Sequence, residues 1–338
     1  MIFTLEEAAT EAPAGQQRLG GAMVEIKGLV VSYPTPRGEL HAVDGVNLTV
    51  LKGETLGVVG ESGCGKTTLA LSLLGMNAPG RIIEGSVKVD SVDVQKLRGE
   101  ALRHYRWEKA AMVFQSAMNA LDPVMTIESQ IVETMVQHKK ISKNEARERV
   151  HELLKLVNID PNRAHSFPHE LSGGMRQRVI IVLALCLSPS LLIADEPTTA
   201  LDVVVQAGVL RTLKDLQKQF NITTVIISHD VSIMSEMSDK IAVMYAGKIV
   251  EIGPTKTLIE HPQHPYTEAL LNAVPVIGTG QVKVKGISGS PPDLVSPPVG
   301  CRFAPRCPYV FHKCKMEEPP LVSNGIDDVA CWLREKKA

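Results

Sequence analysis

Apolar positions along this 338-residue chain follow three different periods. From Met23 to about Leu51, in MVEIKGLVVSYP and AVDGVNLTVLKG, apolar and β-branched residues alternate with polar ones, which predicts half-buried antiparallel strands. Three later runs, ETLGVVG (54–60), LLIAD (191–195) and TTVIIS (223–228), are short and continuously apolar. That pattern predicts central strands of a parallel sheet covered on both faces, and with helical segments between them the core is α/β. Helical periodicity dominates roughly 116–170. Ser142 and Glu145 have capping-box spacing, and Val150, Leu153, Leu154 and Val157 then fall on one face. KIAVMYAGKIVEIG reads as a hairpin turning at Ala246-Gly247, after which the chain becomes Pro-rich. These changes divide it into a tail at 1–22 without periodicity, a domain at 23–255 and a C-terminal module at 256–338.

Composition narrows the function. Lys plus Arg (36) balance Asp plus Glu (37), leaving a net charge of -1 and no basic footprint for nucleic acid. The first residues lack a signal-peptide pattern, and the longest apolar run, VIIVLALCL at 179–187, is half of the ~18 residues that a membrane span needs. A soluble, unsecreted protein is expected. Four of the six cysteines lie near the C-terminus, and in a reducing compartment such a group reads as metal or cluster ligands before disulfides.

Two motifs carry chemistry. GESGCGKTT, Gly60 to Thr68, lies between an apolar strand and a helix and fits G-x-x-x-x-G-K-[ST]. Gly60, Gly63 and Gly65 let the backbone wrap phosphate oxygens, with Ser62, Cys64 and Thr68 completing the loop. Lys66 is placed to neutralise β and γ oxygens and Thr67 to bind Mg²⁺. Cys64 reads as a small filler within that loop. The second motif is SLLIADEPTTALD, with Asp195 and Glu196 at the end of an apolar strand. Asp195 is expected to hold Mg²⁺ through water and Glu196 to act as general base.

LSGGMRQR, Leu171 to Arg178, precedes that pair and resembles the signature motif of the ATP-binding cassette (ABC) ATPases. The resemblance spans Val24 to about Gly253. It implies that Tyr33 stacks on adenine, that Gln115 is the Q-loop residue near Mg²⁺, that Leu201 and Asp202 form the D-loop, and that His229 contacts the γ-phosphate. It also implies a RecA-like core, an antiparallel β subdomain and a helical subdomain at about 116–178. Ser172, Gly173 and Gly174 begin a helix whose free N–H groups and dipole suit a phosphate. In the family that phosphate belongs to the opposite cassette, so ATP is held at a composite dimer interface. Met175 is a departure, since most of the family has Gln there.

HPQHPYTEALLNAVP (261–275) and GSPPDLVSPPVGCRFAPRCPYVFHKC resemble the tail of ATPase subunits of peptide and nickel importers, closest to the D-type subunit of dipeptide and oligopeptide permeases. That resemblance implies an ATPase driving peptide uptake, with nickel or another small solute as the alternative cargo. A soluble ABC ATPase acting on DNA or ribosomes is the more distant reading, since the chain has one cassette, no long coiled coil and no basic face. The implied partners are a paralogous ATPase or a second copy, two transmembrane permease subunits and an extracytoplasmic peptide-binding protein, with no nucleic acid. The implied location is the cytoplasmic face of the membrane. Cys301, Cys307, Cys314 and Cys331 follow C-x5-C-x6-C-x16-C, which matches neither paired zinc spacings nor the common ferredoxin run. Spacing therefore leaves open Zn²⁺, with or without His312, a [4Fe-4S] cluster, or no metal. The resemblance favours the cluster, as a staple for a tail too small to build its own core.

Overall fold

The computed structural model describes residues 21–115, 120–199, 201–273 and 286–335. The tail expected at 1–22 thus falls almost wholly outside the described residues. Two compact units divide the chain. Among the described residues, one holds 21–23, 51–53 and those within 99–224; the other holds 24–50, 54–98 and those within 225–335.

In the second of these, Ala22–Thr35, Gly38–Leu51, Arg81–Val89 and Val92–Asp93 form an antiparallel sheet in which Ala22–Thr35 pairs with both longer neighbours. Alternation is visible in the burial itself: Val46, Leu48 and Val50 are buried while Asn47, Thr49 and Leu51 are exposed. Thr55–Val59 behaves differently, with all five residues buried. It pairs in parallel with Lys240–Tyr245, which turns back antiparallel into Lys248–Pro254. The turn is at Ala246 and Gly247, both with positive φ (48° and 86°), as a tight hairpin requires. Asp328–Val329 then adds to the outer side of Lys248–Pro254, and Val322–Ser323 adds to Asp328–Val329. The C-terminal residues are thereby part of this unit's sheet.

The other unit pairs Ala110–Val113 in parallel with the fully buried Leu191–Asp195. Around them are helices Ile127–His138, Lys143–Leu156, Gly173–Leu185 and Val203–Phe220. Lys143–Leu156 begins with a complete capping box: Ser142 Oγ accepts from Glu145 N, and Glu145 accepts from Ser142 N at 2.7 Å. Its buried face is Ala146, Val150, Leu153 and Leu154, and it packs on the preceding helix, whose buried residues include Ile131 and Met135. The strand Thr223–Ser228, buried throughout, carries the chain from this unit into the other. No helix among the described residues is long and apolar enough to cross a membrane.

Candidate functional site: a phosphate loop, a carboxylate pair and a cysteine pocket

The loop after Thr55–Val59 is wound tightly enough to need its glycines. Gly65 has φ 106°, and a Cβ there would lie 2.1 Å from the Ala42 carbonyl oxygen, so only glycine lets the backbone pass. Cys64, Gly65 and Lys66 are buried; Ser62, Gly63 and Thr67 are exposed and Thr68 half-buried. Helix Lys66–Leu73 starts directly from this turn, aiming its N-terminus into the loop. Lys66 Nζ donates to the carbonyls of Gly60 (2.7 Å) and Glu61 (2.9 Å). The ammonium is thereby held at the mouth of the loop and not out in solvent. Burial pushes the Cys64 thiol above its usual range, in keeping with an inert filler. Tyr33 is half-buried on Ala22–Thr35, its ring filling the place where a side chain at Gly80 would go. His229 is exposed at the end of Thr223–Ser228.

In the other unit, Asp195 ends its strand at 2% exposure. Glu196 follows with φ 46°, a left-handed backbone that is costly for a non-glycine residue and collects at functional positions. Its Oε2 accepts from Gln115 Nε2 at 2.9 Å and from Thr199 Oγ1 at 3.0 Å. Ser172 caps Gly173–Leu185, its Oγ accepting from Met175 N. Gly174 is buried because a Cβ there would meet Val205 Cγ1 at 2.4 Å. Asp202 caps Val203–Phe220 through Val205 N at 3.0 Å.

The four C-terminal cysteines line one small cavity together with His264, Phe303, Trp332 and Leu333. Burial pushes Cys301 up to about 11 and raises Cys307 and Cys331 as well. Among the described residues, groups of three metal-capable atoms within 4.8 Å of one another occur at His104, Glu108 and His138 and at Glu128, His151 and His165, not among these thiols.

Two residues to which the sequence assigned no role bind the phosphate loop from outside. Tyr266 Oη accepts from the Glu61 N–H at 2.9 Å, and Arg306 forms a two-pronged ion pair with the Glu61 carboxylate at 2.6 and 2.9 Å. The HPYT segment is itself anchored from below. Glu251, fully buried, accepts from Gln263 N and His264 N, and His264 Nδ1 accepts from Tyr266 N, so its neutral ring caps helix Pro265–Asn272. Burial lowers His264 to about 3.

Comparison with known proteins agrees with this geometry. Residues 43–199 match the family model described as ABC transporter, and residues 250–314 match that of the oligopeptide/dipeptide transporter C-terminal region. The dipeptide transport ATP-binding protein DppD of Bacillus subtilis is 41% identical over 321 residues, 94% of this chain and 96% of the relative. The oligopeptide transport ATP-binding protein OppD of Escherichia coli is 42% identical over 317 residues, 93% of each chain. Among solved structures, the dimeric ABC cassette MJ0796 bound to ADP and Pi superposes with a TM-score of 0.62 at 28% identity, covering 69% of this chain and all but 1% of that one. CbiO1 of Clostridium perfringens, part of the ABC transporter complex cbiONQ, gives 0.63 at 28% identity over 71% of this chain and 91% of that one. With two family models in order and relatives matching nearly end to end, the chain belongs to the ABC transporter ATPases, in the branch of dipeptide and oligopeptide transport ATP-binding subunits.

Proposed function

We propose that this chain is the ATP-hydrolysing subunit of a peptide importer. The observation that carries the reading is the link between the two matched regions: Tyr266, inside the peptide-transporter segment, bonds the backbone of Glu61 inside the phosphate loop. The peptide-branch segment is thus built into the nucleotide loop's own unit.

Lys66 and the N–H groups of the loop receive the β- and γ-phosphates, and Tyr33 stacks on the base. Mg²⁺ takes oxygen donors, and the Thr67 hydroxyl, the Gln115 amide oxygen and the Asp195 carboxylate supply that chemistry. An ion held by them would supply charge neutralisation on the phosphoryl group. Glu196, oriented by Gln115 and Thr199, takes the proton of the attacking water, and His229 contacts the γ-phosphate. Ser172, Gly173, Gly174 and Asp202 serve the nucleotide of a second cassette, so turnover needs a dimer with a copy or a paralogue. Docking on two permease subunits holds the chain at the cytoplasmic face of the membrane.

The cysteine pocket is read as a cluster site. A single tetrahedral Zn²⁺ draws thiolates to about 3.8 Å of one another at Zn–S distances of about 2.3 Å. Sulfurs lining one cavity without any three inside 4.8 Å suit the wider [4Fe-4S] group, held by Cys301, Cys307, Cys314 and Cys331 in a structural role. Iron, labile sulfide and zinc assays on anaerobically purified protein test this, and a colourless protein with one zinc would sink it.

For the transport function, the chain is reconstituted in proteoliposomes with its permease subunits and binding protein. ATP-dependent uptake of labelled di- and oligopeptides is expected. Uptake of Ni²⁺ with none of peptide would overturn the cargo, and hydrolysis with neither would overturn the transport role.

A further inference from the structure

Two arginines adjoin two of the cysteines in sequence; Arg306 reaches the phosphate loop directly, and Arg302 reaches the turn that is bonded to it. Arg306, next to Cys307, is the more completely engaged, with a side chain only 4% exposed. All five of its N–H donors find an acceptor. Nη1 serves Glu61 Oε2 (2.6 Å) and Tyr245 Oη (3.2 Å), Nη2 serves Glu61 Oε1 (2.9 Å) and the Ile287 carbonyl (3.2 Å), and Nε serves the Ser288 carbonyl (2.9 Å). Arg302, next to Cys301, donates to the Ala246 carbonyl and to Asp44. The turn so held passes on the constraint, since Gly247 N donates to the Cys64 carbonyl of the phosphate loop at 2.9 Å. Glu61 and Cys64 are therefore each fixed from the segment that the cysteines delimit. Tyr266 adds a third tether at Glu61 N. A phosphate loop works by presenting backbone N–H groups inward, so tethers on its outer side decide how much ordering nucleotide binding must supply.

We propose that the segment Cys301–Cys307 is a brace for the phosphate loop, with Arg306 and Tyr266 as positioning residues, so that whatever holds those cysteines in place sets the affinity for ATP. This rests on the reading of Gly60 to Thr68 as the nucleotide loop. Arg306 acts through Glu61, and its fork demands a fixed Cys301–Cys307 backbone to aim it.

The test is equilibrium titration of the purified full-length chain with a fluorescent ATP analogue and Mg²⁺, alongside circular dichroism. Arg306→Met is expected to raise Kd about tenfold, the equivalent of about 1.4 kcal/mol. Arg306→Lys should recover part of that loss, and Arg306→Met combined with Glu61→Gln should bind no worse than Arg306→Met alone, since both break one contact. Tyr266→Phe removes a single hydroxyl and should weaken binding several-fold in a fully folded protein. Cys301→Ser should weaken binding in the wild-type background and do little more in the Arg306→Met background. Lys66→Ala separates the two readings. If it abolishes binding while Arg306→Met and Tyr266→Phe bind as wild type, the loop reading stands and the brace falls. If Lys66→Ala binds as wild type, both fall. Should Arg306→Met fail to fold, Tyr266→Phe and Arg306→Lys decide, and unchanged Kd in both overturns the brace.

Discussion

Gln115 donates its side-chain amide to the Glu196 carboxylate across 2.9 Å, joining residues 81 positions apart whose roles are usually considered separately. Glu196 also occupies a left-handed backbone at φ 46°, so its carboxylate is held by backbone geometry and by two side-chain donors together. Glu196→Gln should therefore bind ATP normally and lose turnover by about 10²- to 10⁴-fold, the usual contribution of a general base. Gln115→Ala removes one of the donors that hold the carboxylate and should lower kcat by a smaller factor, about tenfold, through misorientation of Glu196. Phosphate release under saturating ATP measures both.

Gly174 separates a steric role from a phosphate-binding one. A Cβ at this position meets Val205 Cγ1 at 2.4 Å, so Gly174→Ala should destabilise the unit by about 1–3 kcal/mol, the cost of overpacking. Val205→Ala in the same chain should return most of that stability in urea unfolding. If ATPase activity stays low in the stable double variant, the glycine is also needed for nucleotide.

Asp202 can be divided in the same way. Its carboxylate caps Val203–Phe220, so Asp202→Ala should cost about 1 kcal/mol of stability, whereas Asp202→Asn keeps a capping oxygen and should cost little. Melting temperatures of the two variants check the cap. Reduced hydrolysis in Asp202→Asn would then report a separate need for the charge.

His264 makes stability depend on acid. Burial lowers it to about 3 from an unfolded value near 6.5, so the folded state keeps it neutral while the unfolded state takes up a proton. Its contribution is complete above pH 6.5 and declines as pH falls toward 3. Glu251, raised by burial, acts in the opposite sense, and its effect is common to wild type and variant. In His264→Asn, which retains a cap for Tyr266 N, the fall in melting temperature between pH 6.5 and 4 should be shallower.

What could be read from sequence was local. The phosphate loop, the Ser142–Glu145 box and the hairpin turn at Ala246-Gly247 each lie within a few consecutive residues, and each has its expected form. The strands split by burial as their apolar patterns required. Tyr266 and Arg306 could not be found that way, because their partner Glu61 is 205 and 245 residues away and nothing at either end signals the pairing. Gly174 was recognised by motif, but the reason it is buried, Val205, lies on another helix. For the cysteines, spacing alone left Zn²⁺, a [4Fe-4S] cluster and no metal open; that all four line one cavity came only with the fold.

The pairing of Asp328–Val329 with Glu251 and Ile252 has a consequence for shortened forms of the chain. A polypeptide ending at Pro254 keeps the phosphate loop, both carboxylates and the signature residues, yet it bares the outer backbone groups of Val250, Glu251 and Ile252. An uncovered apolar strand edge recruits other chains. Cleavage between Pro254 and Arg306 therefore removes the phosphate-loop tethers Tyr266 and Arg306 or Arg306 alone, depending on the site, and uncovers this strand edge as well, and sedimentation of the 1–254 fragment should find it in the pellet.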